Sequence, residues 1–211
     1  MKTFGLTILF LAASASAFAQ QWEIGGIGGA SFLNHVGVSS PLGSATAGFA
    51  PGGVGGAFFG QALYPKLAGE LHYEFFQSSQ RLTSGGASAD FTGMAHAVHY
   101  DLVIHTNRKN SRTQFFAVVG GGAKIFQGTG KEAAYQPLSQ YGYFTKTRVI
   151  TGMGVVGGGL SYQLAPHIYL RTEFLDFISP FPKDLIAPGS GAKYGNILQD
   201  FVPMVGLTYM F

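Results

Sequence analysis

The chain has 211 residues, of which 11% are charged, 14% aromatic and 32 in number glycine, with no cysteine and a formal net charge of +3. Ordinary soluble domains carry about 25% charge, so much of this protein's outside does not face water, and the small basic excess gives no argument for nucleic acid as a partner. Disulfides are excluded, and no uncharged apolar run long enough for a membrane helix follows the amino terminus. A membrane protein without such helices must cross as a closed β-barrel, because lipid offers no partner to open backbone groups.

Lys2 precedes an apolar run from Phe4 to Ala12 and the small-residue site Ala17-Phe18-Ala19. This is the pattern of a secretory signal peptide over residues 1–19, cleaved before Gln20, which leaves residues 20–211 as one exported barrel domain. Trp22, Ile24, Gly26, Gly28, Ala30 and Phe32 then alternate with Glu23 and its parity mates as a first strand. A Ser/Gly/Pro segment, 33–51, reads as a long loop. Residues 54–64 form a second strand, with Phe58, Gly60, Ala62 and Tyr64 toward lipid and Gln61 inward, and Pro65-Lys66 is a tight turn.

The third strand splits Leu67, Leu71, Tyr73 and Phe75 from Ala68, Glu70, His72, Glu74 and Phe76. A polar loop at 80–90, a strand at 91–105 and a turn at 107–112 follow. The fifth strand covers 113–126, a loop 127–147, and the sixth strand 148–164. After Ala165-Pro166-His167 comes a seventh strand, 168–177, then a Pro/Gly-rich loop, 178–196. The last strand sets Phe201, Pro203, Val205, Leu207, Tyr209 and Phe211 on one parity. Eight strands separated by alternating long loops and short turns predict an all-β, eight-stranded antiparallel up-and-down transmembrane barrel with both termini in the periplasm.

Height supports the same reading. The lipid-side residues Trp22, Tyr64, Tyr100, Phe115, Tyr162, Tyr209 and Phe211 sort to the periplasmic end, and Phe32, Phe75, Phe174 and Phe201 to the outer end. Two aromatic girdles are what a bilayer selects. By parity the lumen receives Glu23, Gln61, Glu70, His72, Glu74, His99, Asp101, Lys124, Gln163, Arg171 and Glu173. Arg171 is expected at the centre of an ion-pair cluster with Glu70, Glu74, Asp101, Glu173, Lys124, His72 and His99, since its planar fork suits carboxylates. Such a cluster plugs a small barrel, the alternative being a narrow pore.

The eight-strand rhythm, the Leu170-Arg171-Thr172-Glu173-Phe174 strand and the terminal Phe211 resemble the OmpA-like small outer-membrane barrels. The resemblance covers residues 20–211 and implies a location in the outer membrane of a Gram-negative bacterium. It also implies contact with outer-membrane lipid and lipopolysaccharide, and recognition of the last strand by the barrel insertion machinery. The chain ends at the barrel, so the peptidoglycan-binding domain of longer members is not expected.

Catalytic signals are weak. Gly152-Met153-Gly154-Val155-Val156-Gly157 matches a dinucleotide fingerprint but lies in a strand, and Gly128-Thr129-Gly130-Lys131 lacks the first glycine of a phosphate loop. His96, His99 and His105 share a strand with Asp101, yet no serine lies on that strand, so a lipid hydrolase or acyltransferase is only an alternative. His96 points to lipid by parity, and a bulge near Ala97 is expected to turn it inward. No cofactor or metal is expected. The loops carry Lys131, Lys146 and Arg148 beside Tyr135, Tyr141, Tyr143 and Phe144, with Ser179-Pro180-Phe181-Pro182-Lys183 and Ala187-Pro188-Gly189 in the last. They are the expected surface for a ligand or partner of a non-enzymatic envelope protein. A soluble lipocalin-like carrier would need the opposite parity.

Overall fold

The computed structural model of the chain describes residues 21–106, 111–128 and 136–211. The expected signal peptide, part of the expected turn at 107–112, and Thr129, Gly130, Lys131 and Tyr135 lie outside the described residues. Fifteen strands are described in chain order: β1 (Trp22–Leu33), β2 (Val36–Ser40), β3 (Gly43–Phe49), β4 (Gly52–Tyr64), β5 (Leu67–Gln77), β6 (Gln80–Ser84), β7 (Ala87–Phe91), β8 (Gly93–His105), β9 (Thr113–Gly128), β10 (Gly142–Phe144), β11 (Arg148–Ala165), β12 (Ile168–Pro180), β13 (Ile186–Pro188), β14 (Lys193–Tyr194) and β15 (Ile197–Met210).

Eight of them close an antiparallel barrel in the order β1-β15-β12-β11-β9-β8-β5-β4. Closure joins the two chain ends: Ile24 pairs with Tyr209 and Phe32 with Phe201, and β1 pairs β4 along its other edge. No backbone edge is therefore left to lipid, as a bilayer requires. The outside carries Ile24, Leu71, Tyr100, Phe115, Phe174 and Leu207, each between 49% and 56% exposed, while the alternate residues face in. Of the seven aromatics expected at the periplasmic end, Tyr64, Tyr100, Phe115, Tyr209 and Phe211 are exposed. Trp22 stacks on Phe59 at 5.1 Å and Tyr209 meets Phe211 edge-on at 5.2 Å.

Two local expectations are corrected. The bulge lies at Ala62/Tyr64, not Ala97: β8 runs in unbroken register with β5 and β9. His96 stays outward, where its Nδ1 is 2.8 Å from the Tyr73 hydroxyl. The bulge in β4 reverses the parity deduced from Tyr64 backwards, so Phe58 and Gly60 face the lumen and Gln61 shares the outward parity of Phe59. A one-residue slip moves every side chain above it to the other face.

The predicted outer loops also contain strands. Four of them and the short β14 form a sheet, β14-β2-β3-β6-β7, and β10 pairs β13. Val36, Val38, Ala45, Ala47, Phe49, Leu82 and Ala89 alternate onto one buried face of this sheet. The Gly85-Gly86 turn between β6 and β7 has φ of 56° and 84°, the left-handed pair that a two-residue hairpin needs. This sheet caps the outer end of the barrel, and its buried face is continuous with Phe126, Phe144, Phe181 and Leu198 in one apolar core.

Candidate functional site

The lumen holds two polar layers. In the lower one, β12 presents Arg171 and Glu173 on one face, β5 presents Glu70, His72 and Glu74, and β8 presents His99 and Asp101, each at most 5% exposed. Strand pairing alone brings half of them together, since Glu70 lies opposite Asp101 and His72 opposite His99. Arg171 reaches across the barrel and donates from Nη1 and Nη2 to the two Glu70 oxygens at 2.9 and 2.8 Å, while its Nε donates to Glu173 at 2.8 Å. Its guanidinium lies between the Phe58 and Phe116 rings, 4.5 Å from each. Buried charge held this way is paired, oriented and shielded from water.

Both histidines bond to carboxylates through both ring nitrogens. His72 Nε2 is 2.9 Å from Glu70 and Nδ1 3.2 Å from Glu74, while His99 Nε2 is 2.9 Å from Glu74 and Nδ1 2.8 Å from Asp101. The two rings stack at 4.9 Å, and Phe58 stacks on His72 at the same distance. The result is one chain of contacts, Glu173–Arg171–Glu70–His72–Glu74–His99–Asp101. It needs space on the facing strand: a Cβ on Gly120 would run into Asp101 Oδ1, and one on Gly122 into the Val98 carbonyl and His99. Gly122→Ala is expected to destabilise the barrel by about 1–3 kcal/mol, read as a lower yield of the compact species on unheated gels. An unchanged yield and unfolding midpoint would mean that β8 yields to the methyl group.

Lys124 does not join this cluster, which corrects the expectation. Its Nζ donates to Asp200 at 2.5 Å, and Asp200 accepts a second bond from Ser31 Oγ at 2.5 Å. Phe177 touches both Lys124, at 5.4 Å, and His99, at 5.3 Å, and so separates the upper layer from the lower. Lys124 also lies 4.0 Å above the Phe76 ring. Asp200 shares the parity of Val202 and Met204 but is absent from the expected cluster; with the last strand beginning at Ile197 it lies within the barrel wall. Gln163 lies at the periplasmic mouth, in the wall of a cavity of about 250 Å³. The histidines of β8 are not brought together: His99 and His105 face in, and His96 faces out.

Above the upper layer the lumen ends in aromatic packing. Phe49 stacks on Phe126 at 5.3 Å and contacts Phe181 at 6.4 Å, and Phe91 stacks on Phe144 at 4.9 Å. Side-chain bonds tie the cap segments to one another. Gln136 accepts from the Phe144 amide at 2.7 Å and donates to its carbonyl at 2.9 Å. Tyr194 donates to the Tyr141 carbonyl at 3.1 Å, and burial pushes its hydroxyl pKa up to about 12. Leu42 and Tyr143 stand on the exposed side, with Lys146, Arg148, Lys183 and Lys193 also exposed.

No protein-family model and no curated protein matches the sequence. Among solved structures the chain is similar to Neisserial surface protein A, with 11% identity, 90% of this chain and 97% of that one covered, and a TM-score of 0.56. It is also similar to the outer membrane protein OprG from Pseudomonas aeruginosa, with 14% identity, 91% and 95% coverage, and a TM-score of 0.55. These likenesses concern the fold. Together with the closed hydrogen-bond ladder and the apolar belt on the outside, they identify the chain as an eight-stranded antiparallel β-barrel of the bacterial outer membrane.

Proposed function

We propose that this chain is a non-conducting, non-enzymatic member of the OmpA-like small barrels, exported by a leader at residues 1–19 and inserted through recognition of β15. Its role is structural or adhesive, exercised through the ordered outer sheet. The observation that carries the reading is the sealed outer end: an aromatic core around Phe49, Phe126 and Phe181 stands above a lumen whose charges are paired. An eight-stranded barrel has little interior beyond its side chains, and here two polar layers and an apolar one fill it.

Lipopolysaccharide is the favoured contact. Arg148 and Ile150 lie on the same exposed face of β11, so the cation stands one pleat above the apolar belt, with Lys146 beside it in sequence. That is the height of the phosphates on an outer leaflet, and Arg is suited to pair with phosphate. Planar-bilayer recording tests the sealed lumen: the purified barrel is expected to leave the bilayer silent, and reproducible conductance steps abolished by heat unfolding would sink the reading. For the lipid contact, Lys146→Glu with Arg148→Glu is expected to weaken binding to lipopolysaccharide vesicles about tenfold; equal binding would remove that partner.

A further inference from the structure

The stacked pair His72 and His99 has two different sides. On one, Glu74 lies against both rings, 3.2 Å from His72 Nδ1 and 2.9 Å from His99 Nε2. On the other, His72 Nε2 and His99 Nδ1 face Glu70 and Asp101, which are paired directly across β5 and β8. Asp101 Oδ2 is turned into this second side, 4.0 Å from His72 Nε2. It is buried and has no hydrogen-bond partner among the described residues. One ligand atom from each of His72, His99 and Asp101 lies within 4.8 Å of the other two.

We propose that this side is a site for a divalent transition metal, Zn2+ or an ion of similar preference, with His72, His99 and Asp101 as ligands. Glu70, already 2.9 Å from His72 Nε2, supplies a carboxylate oxygen as the fourth ligand. Two imidazoles and two carboxylates are a donor set that Zn2+ accepts in tetrahedral geometry. Ligands about 2.0–2.1 Å from the ion lie roughly 3.3 Å apart, so the existing spread contracts by about 1.5 Å on metal binding. Rotation of the His72, His99 and Asp101 side chains supplies that contraction.

Glu74 has the part that an outer carboxylate has in histidine metal sites. By accepting the N–H of the far nitrogen on each ring, it fixes both tautomers and turns the near nitrogens toward Asp101. Each near nitrogen binds only when deprotonated, so any proton held between His72 Nε2 and Glu70 or between His99 Nδ1 and Asp101 leaves to solvent as the dication enters. Arg171 keeps Glu70 oriented through its two bonds. The site stands whether or not the outer sheet binds a partner.

The test is to refold the mature barrel with Co2+ present, remove excess ion, and record the visible spectrum and the metal content. The expected result is one Co2+ per chain with the strong absorption of tetrahedral Co2+, displaced by Zn2+ with no net proton uptake. Loading of the folded apo-protein is expected to release protons as the ion enters. Asp101→Asn and His99→Gln are expected to weaken Zn2+ at least tenfold while the folded species persists on unheated gels. The wild-type protein decides by itself if a variant fails to fold: no tetrahedral band, or less than half an equivalent of metal, overturns the site. A band that survives in both folded variants also overturns it, by assigning the metal to the outer histidines.

Discussion

Replacing Arg171 with alanine is expected to lower the stability of the refolded barrel by about 3–5 kcal/mol, the usual consequence of removing one partner of a buried ion pair. The loss arises less from the missing contacts than from what remains. Glu70 and Glu173 are buried and would lose the guanidinium that donates to both. The Phe58 and Phe116 rings would also lose the group between them. Insertion is expected to survive, because the apolar belt and the backbone ladder are untouched. Urea titration followed by Trp22 fluorescence, the chain's single tryptophan, measures the change. Arg171→Met combined with Glu70→Gln should recover part of the loss, since a neutral pair carries no stranded charge. An unchanged midpoint for the single alanine variant would remove the cluster as a stabilising feature.

Phe49→Ala is expected to loosen the outer cap by about 3–5 kcal/mol, the range for deleting a buried aromatic ring, without dissolving the barrel. Phe49 is 1% exposed and contacts both Phe126 and Phe181. The cavity left in its place sits where the sheet joins the top of the lumen. Protease added to whole cells should then cut within residues 33–51 at least about tenfold faster, while unheated gel mobility stays that of the folded barrel. Equal cutting would mean that the cap is not held by this core. Alkali gives an independent handle on the same unit. Burial holds the Tyr194 hydroxyl up at about 12, against about 10 for an unfolded tyrosine. The neutral form is favoured by folding, so this stabilisation is complete below pH 10 and is lost as the pH rises toward 12. Cap cleavage should rise over that window in the wild type, and Tyr194→Phe should remove the step.

Legibility differed by region for physical reasons. The barrel strands were readable because one face must satisfy lipid and the other a polar lumen. That contrast persists through β5, where Leu71, Tyr73 and Phe75 alternate with Glu70, His72 and Glu74. The cap strands were missed because their alternation is muted: in β3 the buried residues are Ala45, Ala47 and Phe49 among glycine, serine and threonine, a composition that reads as loop. The Gly85-Gly86 turn was the signal that would have identified the β6–β7 hairpin. For His96, parity was right and the expected bulge was wrong. A lipid-facing histidine is tolerated here because Tyr73 bonds to it and Phe75 covers it at 5.4 Å.

The amino-acid order by itself determined that the chain is a barrel, which face of most strands meets lipid, and which charges share the interior, because a two-residue period transmits facing without reference to any partner strand. Only the tertiary structure decided which of those interior side chains became neighbours. Register across eight strands sent Lys124 to Asp200 rather than to Arg171, and the offset at Ala62/Tyr64 turned Phe58 into the lumen. The same register stacked His72 on His99 with Asp101 turned toward them. These depend on closure of the barrel, which sums small offsets over all eight pairings, and no single strand encodes that sum.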